Sequence, residues 1–305
     1  LAAQTLEGVN LGHPNGDGGK EEDSLMPGVF VVTDSSCDLE QDEIDPFNIE
    51  IVPLTIRFGS EEFTDRQDLS VEDFYQRMAN TVDLPQTACP SPGAFEQAFR
   101  KASDAGAEAV VCLSISSDLS TTLQSARTAA AAFEGRLLVH VIDSRTVSSG
   151  LGTLVVEAAK VAADGADAGA VLRRVGDLIP RTHVLAALNT LENLKKGGRI
   201  GGATAMVGSL LSIKPVIDLS GGVVHEAGKA RTRKRALQML YERLAAAGQI
   251  EHVAVMHGGA ADVSQFLDLI APSFPRETIR LGTLGAVVGV HGGAQMIGVS
   301  WVAAA

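Results

Sequence analysis

Ala109-Val-Val-Cys-Leu-Ser114, then Ile115-Ser-Ser-Asp-Leu-Ser-Thr-Thr122, then Leu123-Gln-Ser-Ala-Arg-Thr-Ala-Ala-Ala-Ala-Phe133: an apolar run, a loop of hydroxyls and a helical pattern follow one another without a break. The first segment is short, β-branched and aliphatic, as a strand buried on both faces has to be. The third repeats its apolar positions three and four apart, as an amphipathic helix requires. Outward from this unit the same alternation recurs. Val29–Thr33, Ile51–Arg57 and Leu137–Ile142 read as further strands, Val71–Met78 and Phe95–Ala105 as helices, and Leu154–Ala163 and Ala168–Ile179 as two more helices. Strands alternating with helices mark β-α units and a largely parallel sheet.

After Pro180-Arg181 the character changes. Val184–Leu188, Pro215–Leu219, Val223–His225, Val253–His257, Thr278–Leu281 and Ile297–Val302 are strand-like, with fewer helices between them, and Gly221-Gly222 between two such runs is a hairpin signal. The expected fold class is therefore α/β with two domains. Residues 28–180 form an N-terminal, mainly parallel α/β sheet domain, and residues 181–305 a C-terminal α+β domain with a mixed or antiparallel sheet. The alanine runs at 129–132 and 245–247 belong inside helices, where alanine is the best former.

At 305 residues and 31.8 kDa, with 45% hydrophobic content and a mean hydropathy of +0.15, the chain can fill substantial cores. Acidic residues exceed basic ones by 37 to 25, giving a net charge of -12 and a pI near 5.0, a poor match to a nucleic acid. Cys37, Cys89 and Cys112 make no Cys-x-x-Cys pair, and their odd number closes no disulfide framework, so a reducing cytoplasm is expected. No run approaches the ~18 apolar residues of a spanning helix, and residues 1–27 lack a basic start followed by an apolar block. That segment, glycine-rich and polar, reads as a flexible tail. The chain opens on Leu rather than Met, which leaves its native N-terminus open.

Four strands of the first half end in small polar residues: Thr33-Asp34-Ser35-Ser36, Thr87 ahead of Pro90-Ser91-Pro92-Gly93, Ser114 to Thr122, and Asp143-Ser144. In an open α/β sheet, ligands bind beyond the carboxyl ends of the strands. The same residues are equally suited to capping helix starts, but the hydroxyls between Ser114 and Thr122 outnumber what one cap can use. Such neutral donors suit a carboxylate or phosphate. Paired carboxylates, His-Glu-x-x-His, Gly-x-Ser-x-Gly and a Walker lysine loop are all missing, and Gly150-Leu-Gly152 is an incomplete dinucleotide fingerprint, read as close helix packing. No metal or cofactor is expected. His257 and His291 each end an apolar run before two glycines, either as donors toward a ligand or as turn-bonded imidazoles. Cys89 is a nucleophile only if a histidine approaches it. Lys195-Lys196-Gly-Gly-Arg199 and Lys229-Ala-Arg231-Thr-Arg233-Lys234-Arg235 are either solvated charge runs or a patch for an acidic surface or a phosphate.

Taken together, Thr33-Asp34-Ser35-Ser36, Val52-Pro53-Leu54, Asp143-Ser144 with Ser149-Gly150-Leu151-Gly152, Leu194 to Ile200 with Gly198-Arg199-Ile200, Lys214-Pro215 and Arg231-Thr232-Arg233-Lys234-Arg235-Ala236 resemble, in order, the motifs of the DegV family of fatty-acid-binding proteins. That family includes the FakB-like binding subunits of bacterial fatty acid kinase. The resemblance spans residues 28–302. It implies a protein that buries a long-chain fatty acid in a tunnel, is not catalytic alone, and presents the carboxylate to a dihydroxyacetone-kinase-like, FakA-like partner for acyl-phosphate formation. It also implies that the carboxylate is held by Thr87, Ser117 with Ser116 beside it, and His291. Thr33, Asp34, Ser35, Ser91 and Ser120 lie in nearby loops, and Arg199, Arg231 and Arg233 belong to a kinase-docking face. An apolar face of Met206, Val207, Leu210, Leu211 and Ile213 is expected to line the acyl tunnel, and contact with a membrane to be transient. With aromatics at only 4%, a stacked flat ligand is disfavoured. The competing readings are a hydrolase or transferase using Cys89 or a loop serine with His291, and a lipid-sequestering protein without a kinase. Three loops depart from the family pattern: Thr-Ser-Gln-Pro reads Thr87-Ala-Cys-Pro90, Leu-Ser-Gly-Thr reads Leu119-Ser-Thr-Thr122, and His-x-Gly-Pro-Gly reads His291-Gly-Gly-Ala-Gln295.

Overall fold

The computed structural model describes residues 28–206 and 213–305. Its strands in chain order are β1 (Val29–Asp34), β2 (Glu50–Val52), β3 (Thr55–Phe58), β4 (Glu61–Thr64), β5 (Gln86–Ala88), β6 (Ala109–Ser114), β7 (Leu138–Asp143), β8 (Thr182–Ala187), β9 (Lys214–Asp218), β10 (His225–Ala230), β11 (Ile250–His257), β12 (Arg280–Thr283) and β13 (Ile297–Ala303). The α-helices are α1 (Gln41–Ile44), α2 (Val71–Asn80), α3 (Pro92–Asp104), α4 (Thr122–Ala131), α5 (Ser149–Ala163), α6 (Ala168–Leu178), α7 (Glu192–Lys196), α8 (Arg233–Ala245), α9 (Val263–Ile270) and α10 (Ala286–Gly292).

The first sheet is fully parallel, in the order β2-β1-β6-β7. Every residue of β1 and β6 is buried, because helices cover both faces. Phe30, Val32, Val110 and Cys112 pack with α3 and α4, while Val29, Val31, Val111 and Leu113 pack with α5 and α6. Close packing explains the two glycines of α5. A Cβ on Gly152 would come within 2.7 Å of the Cys37 carbonyl, and one on Gly150 would strike the Thr146 hydroxyl.

The second sheet is mixed, in the order β10-β9-β8-β13-β11-β12, antiparallel throughout except for the parallel pair β11–β12. The hairpin between β9 and β10 turns at Gly221 and Gly222, whose φ angles of 77° and 86° place them in the left-handed region that favours glycine. As a result β10 begins at His225 rather than Val223. Helix α8 ends at Ala245, one residue into its alanine run.

A third, small antiparallel sheet, β4-β3-β5, was not legible in the sequence. The expected single strand Ile51–Arg57 is two, because Pro53 has no N–H to give a ladder. Its first part pairs with β1 and its second with β4 and β5. Helix α10 packs on this sheet, with Val287 and Val290 joining Ile56, Phe58 and Phe74 in one core. We propose residues 28–180 and 181–305 as the two domains; the α10 contact crosses that division.

Among the described residues no helix is long and apolar enough to cross a membrane. Among them, likewise, no cluster of three His, Cys, Asp or Glu is arranged to hold a metal.

Candidate ligand-binding site

Beyond the carboxyl ends of the parallel strands lies a cavity of about 830 Å³ of atom-free space, its mouth included. Both halves build it. Leu54, Ile115 and Val147 come from the first and Ala186, Ile217 and Met256 from the second, and none of the described wall residues is Phe, Tyr or Trp. Its few polar wall groups include Thr87, Ser120, Arg199 and His291.

Thr87 lies on β5 and His291 in the last turn of α10, and the packing of α10 on the small sheet brings Thr87 Oγ1 within 3.0 Å of His291 Nε2. Burial, reinforced by the Arg199 charge, pushes the imidazole down to about 4. It is therefore neutral at pH 7 and carries a single N–H. Its Nδ1 has no hydrogen-bond partner and lies against Gly197, where a Cβ would collide with it. Asn193 Nδ2 donates to the Val290 carbonyl at 3.0 Å, fixing α7 beside α10. Arg199 donates from Nε to the Leu119 carbonyl at 3.1 Å and from Nη1 to the Gly197 carbonyl at 2.6 Å, joining the hydroxyl-rich loop to the glycine turn beside the histidine.

The hydroxyls of the Ser114–Thr122 loop divide between two tasks. Ser120 Oγ is on the cavity wall, 2.8 Å from Thr122 Oγ1, and accepts from the Thr122 N–H at the start of α4. Ser116 and Ser117 do not line the cavity. Ser116 Oγ donates to the Gly222 carbonyl at 2.8 Å, tying this loop to the β9–β10 turn, and Ser117 Oγ donates to Asp143 at 2.5 Å. The other strand-end groups are buried or serve as helix caps. Asp34 accepts from the Ser36 N–H and hydroxyl, the Ser114 hydroxyl and the Ile115 N–H, and burial raises its pKa despite those bonds. Ser35 Oγ accepts from the Leu54 N–H at 3.1 Å, Thr33 is buried, and Ser91 caps α3 by accepting from the Ala94 N–H.

Cys89 receives the Thr121 hydroxyl at 3.3 Å, whereas His291 is engaged by Thr87, so the structure does not assemble a cysteine–histidine pair from these two. His257, at the end of β11, is half-buried, and burial lowers its pKa. Of the three arginines expected on a docking face, Arg199 is on the cavity wall and Arg231 is exposed. Arg233 is forked onto Asp262 at 2.9 and 3.1 Å. Elsewhere in the basic run, Lys229 pairs with Glu226 and Arg235 with Glu242.

In the expected acyl wall, Val207, Leu210 and Leu211 lie outside the described residues. Met206 is buried with Leu194, Ile217 and Met256, and Ile213 is half-buried just ahead of β9. The sequence reading missed most of the wall, because period reveals which residues are buried but not which of them face empty space. Gly197 stands within a basic motif, and nothing in that spacing signals its contact with His291.

Fold and cavity define a class: a parallel α/β layer and a mixed sheet clasping a largely apolar cavity that holds one threonine–histidine pair. The chain belongs to the DegV family; the family model, described as "Uncharacterised protein, DegV family", matches residues 29–304. A DegV domain-containing protein of Halalkalibacterium halodurans is 32% identical over 282 residues, covering 90% of this chain and 99% of its own. Among solved structures, a fatty-acid-binding DegV family protein from Thermus thermophilus is 33% identical with a TM-score of 0.83, covering 90% of this chain and 99% of that one. A stearic-acid-binding protein from Eubacterium ventriosum is 26% identical with a TM-score of 0.79, covering 90% and 97%.

Proposed function

We propose that this protein binds a long-chain fatty acid in the cavity, with the carboxylate at Thr87 and His291 and the Ser120 hydroxyl nearby. The observation that carries the reading is the union of a largely apolar wall with one neutral hydroxyl–imidazole pair. A sixteen-carbon acid burying about fourteen methylenes at ~0.8 kcal/mol each gains roughly 11 kcal/mol before ordering costs. Each hydrogen bond to the carboxylate adds ~1.5–3 kcal/mol and fixes which end faces Thr87. The names of the Thermus and Eubacterium relatives support the ligand class.

The finer reading is that the protein does not act on the acid alone but presents its carboxylate to a partner kinase, which adds phosphate to form an acyl-phosphate. Exposed Arg231 is the cation best placed to meet the partner, since Arg233 is held by Asp262. Native and denaturing mass spectra of protein purified without added lipid test the ligand. The expected result is a mass excess equal to a long-chain fatty acid that disappears on denaturation; an apo mass unmoved by added palmitate or oleate overturns the reading. With a fatty acid kinase supplied, Arg231→Glu should lower acyl-phosphate formation while lipid stays bound, and unchanged turnover rejects the docking assignment.

A further inference from the structure

Three glycines stand inside described strands, and two have a packing reason. A Cβ on Gly228 in β10 would run into Met239, and one on Gly282 in β12 would lie 2.9 Å from both Sδ and Cε of Met256. Gly298 differs. It sits in β13, an interior strand of the second sheet, where glycine weakens a strand and often marks the close approach of a ligand. Its φ is not in the left-handed region, and a Cβ there would meet nothing nearer than the Leu185 carbonyl at 3.5 Å, an ordinary contact. Neither backbone conformation nor crowding calls for glycine at this position.

The registers place Gly298 in a row across the cavity floor. Ile217 is opposite Ala186, Ala186 opposite Gly298, Gly298 opposite Met256, and Met256 opposite Gly282. The first four residues of that row all line the cavity. The Met256 side chain lies over Gly282, away from the centre. Between Ile217 and Met256 the floor thus carries one methyl group and one hydrogen, a trough two strands wide, or about 10 Å at ~4.8 Å per strand. Met296, just ahead of β13 and two residues before Gly298, also lines the cavity and borders Gly292 beside His291. Gly298 is therefore roughly 7 Å farther along the strand, at ~3.4 Å per residue, from the end where Thr87 and His291 meet.

We infer that Gly298 is a specificity-determining residue: its missing side chain leaves the path by which an acyl chain passes beyond its first carbons, so residue 298 sets the length of chain the protein accepts. This rests on the fatty-acid reading above. Gly298→Val puts a branched side chain across the trough without strain in the strand, and Gly298→Ala narrows it by one methyl group.

The test measures binding of palmitate and of decanoate by delipidated wild type, Gly298→Ala and Gly298→Val, with circular dichroism and melting curves alongside. Palmitate affinity is expected to fall at least tenfold in Gly298→Val and several-fold in Gly298→Ala, with affinity for decanoate, which has fewer carbons beyond residue 298, falling by a smaller factor in each. Wild-type affinities for the two acids that are retained together in both variants overturn the inference and leave the fatty-acid reading standing. If palmitate and decanoate both fail to bind wild type, the fatty-acid reading itself fails. If Gly298→Val does not fold, the Gly298→Ala ratio of palmitate to decanoate affinity decides alone.

Discussion

His291 is held neutral by its surroundings, and that choice of charge state governs what it can do for a ligand. An imidazolium would attract a carboxylate more strongly, but it would have to be desolvated beside Arg199, so burial and that charge push its pKa down to about 4. A histidine whose folded pKa lies below its unfolded value of about 6.5 contributes stability that is fully present above pH 6.5 and lost as pH falls toward 4. The difference corresponds to about 3 kcal/mol at full depth. Replacement by a neutral residue removes that titration, so the stability advantage of wild type over His291→Gln should shrink between pH 6.5 and 4 in denaturant melts; a gap that holds constant would show an ordinary, solvated imidazole. A bound carboxylate acts in the opposite sense and should raise the His291 pKa, visible in imidazole nitrogen shifts with and without palmitate. None of this could be read from spacing. Thr87 and His291 are 204 residues apart, and the sequence paired them only through the family resemblance. The same resemblance also named Ser116 and Ser117, whose hydroxyls the fold turns to the Gly222 carbonyl and to Asp143.

At the scale of elements, the position of α10 is set by a buried acid in the first half. Asp38, the left-handed residue closing the turn after β1, accepts the Gly285 N–H at 2.9 Å just ahead of α10 and the Ser148 hydroxyl at 2.6 Å just ahead of α5. Arg66 stands 3.5 Å away, and burial raises the Asp38 pKa against that attraction. Removing the carboxylate leaves the guanidinium and two donors in the core without their acceptor, which typically costs about 3–5 kcal/mol. Asp38→Ala should therefore melt well below wild type and bind palmitate more weakly, because the helix bearing His291 loses its anchor. An Asp38→Ala protein as stable as wild type in urea would mean that α10 is positioned by packing alone. The elements themselves were unevenly legible. The strands of the parallel sheet declared themselves as unbroken apolar runs, since both faces are covered. The three strands of the small sheet are only three or four residues long and carry Glu61, Glu62 and Gln86, so neither period nor apolar content marked them, although one of them carries Thr87.

For the whole molecule, the cavity wall belongs to neither half alone, so a ligand that fills it is a structural member shared by both. Electrostatics at long range work against an anionic ligand, because the chain carries a net charge of -12. For the proposed fatty acid, affinity must then come from burying the acyl chain between the two layers, and by linkage that burial would add to folding stability about 2.7 kcal/mol at a free ligand concentration of 100 times Kd. The contacts say where that stability should be felt. Val287 and Val288 of α10 and Leu54 ahead of β3 are on one side of the cavity, and Ala186 of β8 and Ile217 of β9 are on the other. Removing the lipid should therefore lower the melting temperature and raise amide hydrogen exchange together in α10, the small sheet and the β8–β9 pair, with the α3–α4 layer behind the parallel sheet unaffected because its core does not reach the cavity. Re-addition of palmitate should restore protection in all three elements at the same ligand concentration. Protection returning in one half only would show that the acid lies against a single domain, and the clasp between the two sheets would not be what holds it.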